Sequence, residues 1–98
     1  MNENGSVSLL TLELDLAGCK SLKEKRGILQ PLISRLHRQF NISISEIGFQ
    51  DKWDRSLLAC AVVSNDGRYN QELLAAVVNY ISAHFLTVEV VGYRIESR

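Results

Sequence analysis

Four cations, Lys20, Lys23, Lys25 and Arg26, stand in the stretch KSLKEKRGILQPL at residues 20–32. Ser21 and Glu24 within it make the S-x-x-E capping box that opens a helix. The cations therefore crowd the helix end that already carries partial positive charge, where each costs roughly 0.3–1 kcal/mol at an exposed site. A bound anion would offset that cost, because free amides at a helix start together with Lys and Arg make a phosphate or carboxylate site. The plainer alternative is that Lys25 and Arg26 lie along the edge of the core and pair with Asp51, Asp54 or Glu46. Arg35 and Arg38 sit further along the same helix and extend the basic strip, or simply solvate its outer face.

A second group is QDKWDR at residues 50–55, a polar segment with the chain's one Trp. Gln50, Asp51, Trp53 and Asp54 are its candidate site residues. Two carboxylates there suit an acid–base pair or, with Gln50, a divalent cation. The alternative packs Trp53 over a sheet edge and leaves both aspartates solvated. SNDG at 64–67 offers an anion nest, but Asn65 or Asp66 also makes an ordinary helix cap. His37 and His84 are far apart, with no Cys or carboxylate at zinc-ligand spacing. Cys19 lies beside Lys20 at a helix start, where cations lower a thiol pKa; no His or Asn completes a nucleophile set. Cys60 reads as core. There is no phosphate-binding loop and no G-x-G-x-x-G. These residues assemble no complete catalytic set, which speaks against an enzyme, and no cofactor is expected.

Charge distribution sharpens the first group. The 98-residue chain has equal numbers of acids and bases, so it is not a polyanion binder as a whole. Between Lys20 and Arg38, however, six Lys/Arg face a single acid, Glu24. That segment is +5 and the remainder −5, and it is distribution that sets an electrostatic footprint.

The length fits one domain, expected over residues 7–98 after a polar start, 1–6, that frays. VSLLTLELDLA at 7–17 alternates with period two, a strand with one buried side. Leu22, Leu29, Ile33, Leu36 and Phe40 recur at helical spacing. Gly27 and Pro31 interrupt that helix and predict a kink or a restart there. ISISEIGFQ at 42–50 is a weaker strand whose apolar face switches near Glu46, which predicts a bulge. SLLACAVVS at 56–64 is a strand apolar on both faces. A second helix is expected over about 69–84 and a last strand over 87–97.

The order βαββαβ, with right-handed crossovers, predicts an α+β ferredoxin-like fold. Its four-stranded antiparallel sheet has strand order 4-1-3-2 and both helices on one face. Helices cover only one side of the third strand, so its other side predicts a second subunit, a homodimer through the open sheet face. With two cysteines far apart in sequence and in no C-x-x-C pair, no signal peptide and no apolar run of membrane length, the chain is expected in the cytoplasm, with no membrane partner.

LELDLAGCKSLKEKR, LHRQFNISISEIG, QDKW and AVVSND, in that order, resemble the YlxP-like family of small bacterial proteins of unknown function, over about residues 7–96. The resemblance implies a ferredoxin-like fold and a cytoplasmic bacterial protein, and no known reaction. The family's genes often lie near those for transcription-elongation and translation-initiation factors, which implies RNA or the ribosome as partner by association. RNA-recognition motifs share this topology but stack bases on central-strand aromatics. LLACAVV has none, so RNA would meet the basic first helix, through phosphates. Two readings follow: a non-enzymatic RNA- or ribosome-associated protein using Lys20, Lys23, Lys25, Arg26, Arg35 and Arg38, or a homodimeric domain that holds a small anion beside Arg26 and the QDKWDR loop.

Overall fold

A computed structural model describes residues 4–98. Strands β1 (Ser6–Asp15), β2 (Ser43–Gly48), β3 (Arg55–Ser64) and β4 (Glu89–Ser97) alternate with helices α1 (Leu22–Gln39) and α2 (Gly67–His84) in the order βαββαβ. The sheet runs β2-β3-β1-β4 and every pairing is antiparallel, which is the expected 4-1-3-2 order read from the other edge. Of the stretch 1–6 expected to fray, residues 1–3 lie outside the described residues, and β1 already begins at Ser6.

Period-two alternation builds the core. Leu10, Leu12 and Leu14 of β1 and Leu58, Cys60 and Val62 of β3 are buried, and side chains two apart on a strand share one face. Leu29, Leu32 and Leu36 of α1 and Leu74, Val77, Val78 and Ile81 of α2 complete the same cluster. Each fully buried Leu contributes roughly 1.5–3 kcal/mol. The polar groups inside are satisfied. Asn70 donates to the Ser6 carbonyl at 3.1 Å and takes a hydrogen bond from the Ser64 hydroxyl at 2.6 Å.

α1 is continuous from Leu22 to Gln39 with Pro31 inside it, so the predicted restart does not occur. Gly27 and Pro31 both lie on the exposed side. The carbonyl that Pro31 leaves without an amide therefore faces solvent, which lowers the cost of keeping the proline in the helix. The predicted bulge is present, as a register shift between Glu46 and Gly48 in the β2–β3 pairing. Gly48 suits that close approach, since a Cβ would stand 3.0 Å from Leu57 Cδ2 and 3.1 Å from Leu57 Cβ, so that Leu57 would have to shift by a few tenths of an ångström. α2 starts two residues before the expected Tyr69. The Asp66 side chain accepts from the Arg68 and Tyr69 amides at 3.0 and 3.3 Å, so the amides that could have formed an anion nest serve a cap.

Candidate functional site

The capping box forms, with one difference from the usual pattern. The Glu24 amide donates to Ser21 Oγ at 3.1 Å, while the Glu24 carboxylate takes the Lys20 amide at 2.7 Å. The lone acid of the basic stretch is thus occupied by backbone at the helix start.

The four cations then separate. Lys25 is buried, at 2% exposure, and its ammonium is fully used. It donates to the carbonyls of Phe49 at 2.7 Å and Lys52 at 2.8 Å, and lies 2.9 Å from Glu46 Oε2. Glu46 also accepts from Ser56 Oγ at 2.7 Å. An ammonium has three donors, and all three have partners. Lys25 therefore leaves the set of anion-binding candidates, and the pairing alternative holds for it. Helical phase with Leu29, Leu32 and Leu36 marks the Lys25 position as inward-facing, but not the acceptors that take its ammonium.

Arg35 leaves the set for a different reason. It donates to the Tyr80 hydroxyl at 3.1 Å and stacks over the rings of Tyr80 and Phe85, 5.7 and 5.2 Å from their centroids. It joins α1 to α2. Lys20, Lys23, Arg26 and Arg38 are exposed and make no ion pair among the described residues. Arg38 stands twelve residues beyond Arg26, which at ~1.5 Å per residue puts it roughly 18 Å further along the helix. Lys20, Lys23 and Arg26 remain together at the amino-terminal end of α1.

That end of α1 adjoins the QDKWDR loop. β1 runs antiparallel to β3, with Asp15 opposite Arg55, so the β1–α1 junction and the β2–β3 loop share one end of the sheet. The Leu16 amide donates to the Asp54 carbonyl at 2.8 Å and joins the two segments. Just past the bulge, Phe49 takes a left-handed backbone, φ 56°, which for a residue with a Cβ costs roughly 1–2 kcal/mol. Its carbonyl receives both Lys25 Nζ and the Lys52 amide, the latter at 3.0 Å. The guanidinium of Arg55 lies over the Phe49 ring at 4.5 Å and pairs with Glu13. A buried cation thus holds the loop backbone from beneath.

Above that base lies a concave site of about 300 Å³, lined by Cys19, Asp51, Lys52, Trp53 and Asp54. Trp53 is half-exposed and, among the described residues, makes no ring contact or side-chain hydrogen bond. Asp51 and Asp54 are exposed and their carboxylates have no hydrogen-bond or ion-pair partner among the described residues. Gln50 turns back to the Glu46 carbonyl at 3.5 Å. The thiol of Cys19 does not become acidic. Burial pushes its pKa up, the charges of Glu24 and Asp54 add to that, and Lys25 pulls only partly the other way. Beside a helix start the expectation was the reverse; the acids that accompany the cations outweigh them at this sulfur. Among the described residues no three His, Cys, Asp or Glu side chains stand together in a way that could hold a metal ion. No described helix is long and apolar enough to cross a membrane.

The far face of the sheet is uncovered. Leu9, Leu57, Ala59 and Ala61 lie there half-buried, and Val63 is 69% exposed.

Comparison with known proteins places this geometry in a family. A family model described as a protein of unknown function (DUF503) matches residues 7–95. Uncharacterized protein YlxP of Bacillus subtilis (strain 168) is 41% identical over 63 residues, 64% of this chain and 68% of that protein. Among solved structures, LarC2 resembles this chain with a TM-score of 0.46 and 16% identity. It is described as the C-terminal domain of a cyclometallase involved in the synthesis of the NPN cofactor of lactate racemase, in its apo form. The match covers 97% of this chain, and the chain spans 56% of the LarC2 structure.

Proposed function

We propose, for a chain that belongs to the DUF503 family of proteins of unknown function, that it is a non-enzymatic RNA-binding protein of the RNA- or ribosome-associated kind. Lys20, Lys23 and Arg26 make the phosphate contacts and Arg38 extends them along α1. The observation that carries this reading is the set of exposed cations on and just before α1 that make no ion pair among the described residues, in a molecule whose formal net charge is zero. The one acid among them is engaged in the helix cap. Cations left unpaired in this way are suited to release counterions from a polyanion, the term that dominates RNA and DNA affinity. The strands β1 and β3 carry no aromatic residue, so the central strands provide no base-stacking platform.

Salt dependence tests the reading. RNA affinity of the wild type and of Lys23→Ala/Arg26→Ala is measured by fluorescence anisotropy across a salt series. Loss of two phosphate contacts should flatten the slope of log K against log salt by somewhat under two units. Absence of RNA binding at low salt would overturn the proposal.

The uncovered sheet face favours a second reading. Leu9, Leu57, Ala59, Ala61 and Val63 form an apolar strip that a second copy of the chain would bury. In that reading a homodimeric domain holds a small anion beside Arg26 and the QDKWDR loop, and thermal-shift measurements with phosphates and carboxylates test it.

A further inference from the structure

The loop around Trp53 combines two features, an anchored backbone and an exposed indole. Its backbone is fastened on both sides of the Trp: the Lys52 carbonyl accepts from Lys25 Nζ at 2.8 Å, and the Asp54 carbonyl accepts from the Leu16 amide at 2.8 Å. Trp53, between these two anchors, is nevertheless 53% exposed and makes no ring contact among the described residues. An exposed aromatic on a free loop needs no explanation, because single apolar side chains on a surface are common. Here a buried ammonium is committed to holding the segment that presents it.

The surroundings of the indole have a consistent chemistry. The concave site of about 300 Å³ beside it has Asp51 and Asp54 in its lining, neither with a hydrogen-bond or ion-pair partner among the described residues. This is the low end of the range for small-molecule sites. Lys52 lines the same site, and Lys20 directly follows Cys19, another lining residue. An aromatic face, hydrogen-bond acceptors and flanking cations are what an unpaired nucleotide requires. Its base stacks, its edge is hydrogen-bonded, and its phosphate is neutralised.

The acceptors decide which base. A carboxylate only accepts. Guanine presents N1–H and N2–H side by side on its Watson–Crick edge, two donors that match two carboxylate oxygens. Adenine and cytosine each place a ring-nitrogen acceptor next to their amino donor, and uracil flanks its single N–H with carbonyls. Each of these sets an oxygen or nitrogen lone pair against the carboxylate.

We propose that this site takes an unpaired guanine nucleotide. Trp53 stacks on the base, Asp51 and Asp54 accept from its Watson–Crick edge, and Lys20 and Lys52 lie toward its phosphate. The inference rests on the RNA reading above only for the source of the base, a strand rather than a free nucleotide.

Trp53 is the only tryptophan in the chain, so its fluorescence reports on this site alone. The full chain is titrated at low salt with end-labelled oligouridine RNAs that carry one central guanine, adenine or cytosine, and separately with GMP. Label anisotropy reports binding and Trp53 quenching reports occupancy of the site. The guanine RNA should quench Trp53 and bind about tenfold more tightly than the adenine RNA, the scale of one good bidentate base contact. In Asp51→Asn/Asp54→Asn that preference should vanish while salt-dependent binding persists. Trp53→Leu should weaken the guanine RNA by about tenfold, the scale of one lost stack. Equal binding of all RNAs without quenching overturns the guanine site and leaves the RNA reading standing. Quenching by GMP with no binding of any RNA does the opposite. No response to any of these ligands overturns both.

Discussion

Lys25 and Glu46 form an internal ion pair, 2.9 Å apart, between the first turn of α1 and the bulge in β2. The pair accounts for one of the crowded cations without any visitor. It also explains how a left-handed Phe49 is tolerated, since the carbonyl that this conformation presents is taken up by Lys25. Stability and the shape of the candidate site are therefore coupled through one side chain.

Lys25→Met keeps the aliphatic stem and removes the charge. It leaves Glu46 without its counter-charge and the Phe49 and Lys52 carbonyls without this donor. Breaking a buried pair from one side costs about 3–5 kcal/mol, and the partial exposure of Glu46 places this case toward the low end. Chemical denaturation should show a loss of about 3 kcal/mol. A loss below about 1 kcal/mol, the scale of an exposed pair, would contradict the structural role assigned to Lys25.

Arg35→Ala separates structural from binding cations. The guanidinium joins Tyr80 and Phe85 to α1, and losing that contact should cost about 1–2 kcal/mol. RNA affinity and its salt slope should stay as in the wild type, in contrast to Lys23→Ala/Arg26→Ala. A flattened slope in Arg35→Ala would return this residue to the phosphate contacts.

The pH dependence of stability at the alkaline end should carry a contribution from Cys60. Burial pushes its thiol from 9.0 up to about 12. Below pH 9 the thiol is protonated in both states and contributes no slope. Above pH 9 the unfolded chain loses the proton first, so the folded state is destabilised progressively until its own pKa is passed. Comparing wild type with Cys60→Ala between pH 8 and the alkaline limit of folding isolates this term, because other alkaline titrations are common to both. A wild type that loses no more stability than the variant over that window would refute the assignment.

Replacing Ala59 by Arg puts a charge at the centre of the uncovered strip, opposite Thr11 and Ser45 in the sheet. If two copies of the chain meet there, sedimentation equilibrium should show a wild-type dimer and a monomeric Ala59→Arg variant that keeps its circular dichroism spectrum. A wild type that stays monomeric at high concentration removes the dimer reading.

Much of the fold was legible because it depends on short-range pattern. Alternation in LLTLELD and LLACAVV, the Ser21–Glu24 box and the switch of face near Glu46 each reflect neighbours within a few residues. Pro31 misled in one respect: it lies off the apolar stripe of α1 and faces water, and a helix that packs by its opposite side keeps a proline there without restarting. The candidate site was legible only as residue types. Trp53 and the two aspartates were named with QDKWDR, but the concave site also needs Cys19, which lies more than thirty positions earlier.

The sequence alone determined the order of the elements, the face each one buries and the presence of a basic first helix, because these follow from periodicity and local composition. Tertiary structure decided which cations remain available. Lys25 meets its carbonyl partners 24 and 27 residues away, and Arg35 meets Tyr80 at a separation of 45. A long flexible side chain reaches whatever acceptor the fold brings within its radius. The same Lys or Arg can therefore be an internal fastening or an open charge, and only the packing of α1 against the β2–β3 loop and α2 selects between the two.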